Sequence, residues 1–323
     1  MEKAINDFPQ QFAWQPTIEN GDNLKPYVKF IVAGMGGSAI PAQILKTYDP
    51  FIDLIIHRDY DLPQLSDKEL GERLVIASSY SGGTEETISA LGQALSKGLG
   101  NAVISMGGKL LELAKEHNLP YIQLPDTGIQ PRMATGFITK AMATLMHYES
   151  FLTAMSSLVA GMFSAQPFKQ PGKELAQELH GSVPVIYASS RNAGLASTWK
   201  IKLNETGKIP AFYNVLSELN HNEMTSFDVQ DTTRALSEKF YILILFDEAD
   251  HPQVQKRMDI LIRLYKDRGL RAKKIMLQGE TPLAKIFSSL LLADWTAFHI
   301  AKLYGVESEQ VPMVEEFKKL IET

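Results

Sequence analysis

The sequence contains no cysteine. Disulfides, thiol nucleophiles and zinc sites built on thiolates are therefore excluded, and a reducing compartment suits the chain. Neither sign of charge dominates: 32 basic against 37 acidic residues leave a net charge of −5. No nucleic-acid partner is expected, and an anionic ligand would need a local cluster of donors. No apolar run reaches the roughly 18 residues of a membrane helix; the densest, residues 286–293, ends at Asp294. The opening residues lack the basic-then-apolar order of a signal peptide. The seven histidines form neither a His-x-His nor a His-Glu-x-x-His pair, so nothing supports a zinc mechanism. These absences predict a soluble, cytoplasmic protein with no membrane partner and no metal.

What is present is ordinary globular composition, 45% apolar and 21% charged, in 323 residues, a length that suggests two domains. Residues 28–33, 54–57, 74–77, 102–105 and 121–124 read as buried strands. Residues 39–47, 84–97 and 109–116 read as helices between them, followed by a long helical stretch over 132–155. Alternation at crossover spacing implies a parallel sheet covered on both faces. After Gln166-Pro167-Phe168-Lys169-Gln170-Pro171-Gly172 the pattern restarts, with strands at 183–188, 241–246 and 274–277 and helices at 193–206, 253–268 and 283–304. The expected organisation is a first domain over 1–160, a linker over 161–173 and a second domain over 174–323. Val32-Ala33-Gly34-Met35-Gly36-Gly37-Ser38 and Tyr187-Ala188-Ser189-Ser190-Arg191-Asn192 open the two halves alike, which fits either a duplication or chance.

The strongest chemical signal is Ser78-Ser79-Tyr80-Ser81-Gly82-Gly83-Thr84-Glu85-Glu86-Thr87, directly after a strand. Hydroxyls at Ser79, Ser81, Thr84 and Thr87 crowd a helix start, where free N–H groups and the dipole favour an anion such as phosphate. A plain N-cap would also explain part of the pattern. Gly34-Met35-Gly36-Gly37-Ser38 sits at the equivalent point after the first strand, and the two loops could face one ligand. As a dinucleotide fingerprint the first loop fits poorly: Ala39 takes the third small position, but no acidic residue closes the next strand neatly.

Pro131-Arg132 puts an arginine against the dipole at a helix start, held by an anion or by a surface ion pair. In Lys202-Leu203-Asn204-Glu205-Thr206-Gly207-Lys208, Glu205 has a lysine three residues to either side. That spacing fits a solvated salt-bridge ladder or a general base at a helix end. Asn220-His221-Asn222-Glu223 is a polar cluster around one histidine, either a loop cap or a proton shuttle. Asp294-Trp295-Thr296 could line a site or pack Trp295 into the core.

Taken together, these segments resemble the bifunctional phosphoglucose/phosphomannose isomerases, built from two sugar isomerase (SIS) domains. The resemblance runs through Ile5-x-x-Phe8-Pro9-x-Gln11, both loops above, Pro131-Arg132, Leu203-Asn204-Glu205, Asn220-His221-Asn222-Glu223, Asp294-Trp295 and Gly305-Val306. It implies two doubly wound, flavodoxin-like α/β domains in tandem. Gly36, Gly37, Ser38, Ser79, Ser81, Thr84 and Thr87 fall where the family holds the sugar phosphate. Glu205 falls on its catalytic base, His221 on its ring-opening histidine and Arg132 on the arginine beside the enediolate. Thr296 is a candidate for the threonine that admits both C2 epimers. Gly83 and Thr206-Gly207 depart from the usual residues.

The implied activity interconverts glucose 6-phosphate and mannose 6-phosphate with fructose 6-phosphate, without metal or cofactor, in a homodimer with shared sites. An amino-sugar phosphate isomerase and a non-catalytic sugar-phosphate sensor are the alternatives. For the sensor, the stretch before Tyr27 is too short for a DNA-reading helix-turn-helix.

Overall fold

The computed structural model describes residues 1–321; residues 322–323, the last two of the expected second domain, lie outside the described residues. Two compact units emerge. One comprises Asn6–Ala165 with Glu280–Ile286; the other comprises Met1–Ile5, Gln166–Gly279 and the described chain from Phe287 onward. Local charge pairs account for where the N-terminus goes. The α-amino group pairs with Glu309, and Glu2 with Lys169 and Lys302, all within the second unit.

The first unit holds five strands: β1 (Lys29–Ala33), β2 (Asp53–His57), β3 (Leu74–Ser78), β4 (Asn101–Ser105) and β5 (Tyr121–Gln123). They pair in parallel in the order β2-β1-β3-β4-β5. β3 is buried along its whole length, which is why it reads as an unbroken apolar run rather than an alternating one. Ile31, Ala33, Val75, Ala90 and Ala94 form one core cluster; Ala77, Leu91, Val103, Leu110 and Ala114 form another.

The second unit holds β6 (Val183–Ser189), β7 (Phe212–Leu216), β8 (Phe240–Phe246) and β9 (Arg271–Met276), parallel in the order β7-β6-β8-β9. Both sheets are doubly wound. β7 escapes the sequence reading because it is an edge strand with Phe212 and Tyr213 exposed, so it lacks a buried run. Among the described residues no helix is long and apolar enough to cross a membrane.

Two local readings change. The helix expected over 132–155 is a 3-10 turn at Pro131–Met133 and two helices, Thr135–Leu145 and Glu149–Ala160. The break is at His147, in left-handed conformation, where the Tyr148 N–H reaches back to the Ala143 carbonyl at 2.9 Å. Apolar periodicity continues through this turn and conceals it. The Pro-Gly segment read as linker is a 3-10 turn, Gln166–Phe168, running into the helix Lys169–Leu179. Pro171 lies in the first turn, where the missing N–H has no intrahelical acceptor to lose. Gly172 is there because a Cβ would come within 2.5 Å of the Trp295 Cβ.

Gln11 explains why the N-terminal motif matters. It is buried on the 3-10 helix Phe8–Ala13 and supplies the cap that Ala134 cannot give the helix Thr135–Leu145. Its Oε1 accepts from the N–H groups of Gly136 (2.9 Å) and Phe137 (3.2 Å), and its Nε2 donates to the Met133 carbonyl at 2.7 Å. Gln11→Ala strands two buried N–H groups and one carbonyl beside Arg132. The expected loss of stability is about 1–3 kcal/mol, read as a lower urea midpoint with unchanged slope. A midpoint equal to that of the unmodified protein would remove the capping role.

Candidate active site

In the first sheet the strand order reverses between β1 and β3, and the crevice at their carboxyl ends is where such folds take ligands. Three loops build it. After β1, Gly36–Ser38 makes a 3-10 turn. A Cβ on Gly37 would lie 2.7 Å from the Arg132 nitrogen, so this glycine lets the Pro131-Arg132 turn lie directly against the loop. Ser38 is buried; its Oγ accepts from the Tyr80 N–H at 3.0 Å and its carbonyl accepts from Ser78 Oγ at 3.4 Å, tying the first loop to the second.

After β3, Ser79 is buried and shares a hydrogen bond with Thr84 Oγ1 at 2.8 Å, while its Oγ accepts from the Gly82 N–H at 3.1 Å. Ser81 is exposed, and its Oγ accepts weakly from Gly83 N–H at 3.4 Å. Gly82 has φ +75°, and the Gly107 carbonyl occupies the place of a Cβ. The third loop, Ser105-Met106-Gly107-Gly108 after β4, thus braces the second. The sequence reading missed it, although its small residues after a strand repeat the signal of the other two.

The helix Glu85–Ser96 starts here, and its first-turn N–H groups have no intrahelical acceptors. Thr87 lies in that turn, 1% exposed, and its Oγ1 has no hydrogen-bond partner among the described residues. The loops at this crevice therefore carry Gly36, Gly37, Ser38, Ser79, Ser81 and Thr84, with Thr87 buried in the first turn of the following helix and the Arg132 backbone against Gly37. Arg132 is itself buried, 1% exposed. N–H groups and hydroxyls of these loops meet there, and that donor set suits a phosphate with its several acceptor oxygens.

The corresponding crevice of the second sheet is closed by the chain's own acids. Ser189 Oγ donates to Asp250 at 2.7 Å, and Asn192 Nδ2 reaches Asp247 and Asp250 at 3.4 Å. Burial first of all pushes the Asp250 carboxyl above the usual range; the Ser189 bond opposes this and the Asp247 charge adds to it. Two carboxylates there disfavour a phosphate, so the similar openings of the two halves do not make equivalent sites.

In the second unit Glu205 is the half-buried last residue of the helix Ala193–Glu205. The two lysines around it are placed differently. Lys202 turns inward to a buried ion pair with Asp294 on the helix Pro282–Tyr304 (2.6 Å, side chains 1% and 2% exposed). Trp199 Nε1 donates to Ser289 Oγ at 2.9 Å between the same two helices. Lys208, in left-handed conformation, donates to the Glu205 carbonyl at 2.7 Å and to that of Gln310. Gly207 is dictated locally, because a Cβ would sit 2.7 Å from the Leu203 carbonyl oxygen.

His221 ends the 3-10 turn Glu218–His221 beyond β7 and is exposed. The helix Ala193–Glu205 follows β6 and runs back toward the edge where the strands begin, whereas His221 follows the carboxyl end of β7. Glu205 and His221 of one chain thus lie toward opposite edges of a sheet whose short strand alone spans about 16 Å. Thr296 is fully buried, and its hydroxyl donates to the Leu292 carbonyl at 2.7 Å. Among the described residues no three His, Asp or Glu side chains converge as a metal site would.

Lys202→Met leaves a buried carboxylate without its cation and should cost about 3–5 kcal/mol in chemical denaturation. The double change Lys202→Met with Asp294→Leu should recover most of that loss. A single variant within about 0.5 kcal/mol of the unmodified protein would mean that the pair holds nothing.

Comparison with known proteins comes down on one family. Residues 168–321 match the model of the bacterial phospho-glucose isomerase C-terminal SIS domain. A bifunctional phosphoglucose/phosphomannose isomerase from Aquifex aeolicus is 32% identical, covering 98% of this chain and 97% of its own. One of the same name from Caldicellulosiruptor bescii is 33% identical, covering 98% of both. A hypothetical protein from Thermus thermophilus, of known crystal structure, shares the fold with a TM-score of 0.73 over 99% of this chain and 87% of its own, at 17% identity. On this near full-length similarity, the chain belongs to the bifunctional phosphoglucose/phosphomannose isomerase family.

Proposed function

We propose that this protein interconverts glucose 6-phosphate and mannose 6-phosphate with fructose 6-phosphate through a cis-enediolate, using protein groups alone. The observation that carries the reading is the phosphate-shaped donor set at the β1/β3 crevice, in a chain of this family. Gly36, Gly37, Ser38, Ser79, Ser81, Thr84 and Thr87 hold the phosphate.

His221 protonates the ring oxygen as the bond to the anomeric carbon breaks, and the proton of the anomeric hydroxyl passes to water as the C1 carbonyl forms. Glu205 then takes the proton from C2 of the aldose and returns it to C1 while the O2 hydroxyl proton passes to O1, leaving the ketose. Arg132 stabilises the negative charge of the enediolate between those steps. Removing the C2 proton erases the difference between glucose and mannose configuration, so one enediolate serves both epimers.

The protein works as a homodimer in the cytoplasm, with neither nucleic acid nor membrane as partner. His221 serves the neighbouring subunit's site. The opposite-edge positions of Glu205 and His221 within a chain support this sharing, and an isologous dimer makes two equivalent composite sites.

Glu205→Gln should lower turnover by about 10²–10⁴-fold while still binding fructose 6-phosphate, measured by coupled assay and calorimetry. Near-normal turnover would require another base. Full activity is expected after dialysis against EDTA; its loss, with rescue by zinc, would replace the enediolate mechanism by a metal-assisted one. Glu205→Gln and His221→Ala proteins, unfolded and refolded together, should return roughly a quarter of the original activity. About half the dimers are then mixed, and each mixed dimer has one intact site. Refolded dimers without recovered activity would assign both residues to one chain.

A further inference from the structure

We propose that Glu223 is a positioning residue for His221, acting as a two-strand anchor that fixes the loop on which the histidine stands. The proposal rests on the reading of His221 as the ring-opening acid.

In Asn220-His221-Asn222-Glu223, three of the four side chains are committed to the fold. Asn222 Oδ1 accepts from the Glu223 N–H at 2.6 Å, and Asn222 Nδ2 donates to Glu218 at 2.7 Å. Asn220 Oδ1 accepts from Arg257 at 3.4 Å. Glu223 makes the long-range contacts: Oε1 accepts from the Tyr187 hydroxyl at 2.5 Å, and Oε2 accepts from Asn214 Nδ2. Tyr187 lies on the central strand β6 and Asn214 on β7, so one carboxylate ties the loop to both strands. The His221 side chain makes no hydrogen bond or ion pair among the described residues and remains exposed. The motif is thus a mount with a single ungripped side chain, the one that would move a proton.

Physical chemistry requires a carboxylate at this position. Tyr187 is fully buried, and an unmade hydrogen bond from its hydroxyl would be costly. Burial, then the neighbouring Tyr265 and the bond to Glu223, hold its phenol well above the ordinary range, so it stays a donor. Asn214 Oδ1 accepts from the Val215 N–H at 2.8 Å, which turns its Nδ2 toward Glu223. Two donors face Glu223, and only a carboxylate offers an acceptor oxygen to each. Glutamine has one such oxygen and would release one strand.

The test compares Glu223→Gln, Tyr187→Phe, His221→Ala and the double variant His221→Ala/Glu223→Gln. Turnover of fructose 6-phosphate is set beside C1 proton exchange in D2O with 5-deoxy-fructose 6-phosphate, which lacks the ring-forming hydroxyl and needs no opening. Glu223→Gln should lower kcat about 10–100-fold and Tyr187→Phe about 3–10-fold, with KM changed less than about threefold. Exchange of the open-chain analogue should stay within about threefold of the unmodified enzyme in both. The double variant should be no slower than His221→Ala alone.

Unchanged kcat in Glu223→Gln, with turnover lost in His221→Ala, would overturn the anchoring role while leaving the histidine's role intact. A further loss in the double variant, or an equal loss of open-chain exchange, would make Glu223 a general structural residue and overturn the proposal. Normal turnover by His221→Ala would remove the ring-opening reading and the proposal together.

Discussion

Strand direction is the constraint on which the rest of this protein depends. In a parallel sheet every strand delivers its following loop to the same edge, and every crossover helix carries the chain back to the other. In the first unit, the loops after β1, β3 and β4 therefore meet at one edge, and the reversal of order between β1 and β3 opens a crevice among them. In the second unit, the same rule separates Glu205, at the end of a returning helix, from His221, beyond a strand.

Within this frame the two crevices are treated oppositely. At β1/β3 the chain uses glycines for close approach: Gly37 admits the Arg132 turn, and Gly82 admits the loop after β4. The result is a set of closely packed loops at one end of the strands. At β6/β8 the equivalent space is filled by Ser189, Asn192, Asp247 and Asp250 bonding to one another. The two sheets thus treat the same position differently, one with close-packed glycine loops and the other with a bonded cluster of acids.

The helix bearing Glu205 is held from behind. Lys202 and Trp199 both reach the helix Pro282–Tyr304, one by a buried ion pair and one by a hydrogen bond to Ser289. A buried pair adds little net stability over apolar residues but tolerates no loss of one partner. It therefore specifies a unique helix position more than it strengthens the fold. Gly207 and the left-handed Lys208 then end the helix abruptly, so Glu205 stands at a defined terminus.

The sequence by itself determined the fold class, because buried parallel strands read as short apolar runs and the crossover helices keep their own period. It also marked the loops after β1 and β3, whose glycines and hydroxyls are contiguous: Ser79 through Thr87 needs no distant partner to be recognised. Pro171 and Gly172 misled, since a proline in a first helical turn and a glycine at a close helix contact look like a linker when read locally. What only the tertiary structure decided lies in pairs far apart in the chain. Lys202 finds Asp294 across 92 residues and Glu223 finds Tyr187 across 36, so a lysine beside a helix-end glutamate is buried and a polar loop motif is bonded to the sheet. Spacing along a helix reports which residues share a face. Only packing fixes which face is buried and which donor meets a carboxylate there.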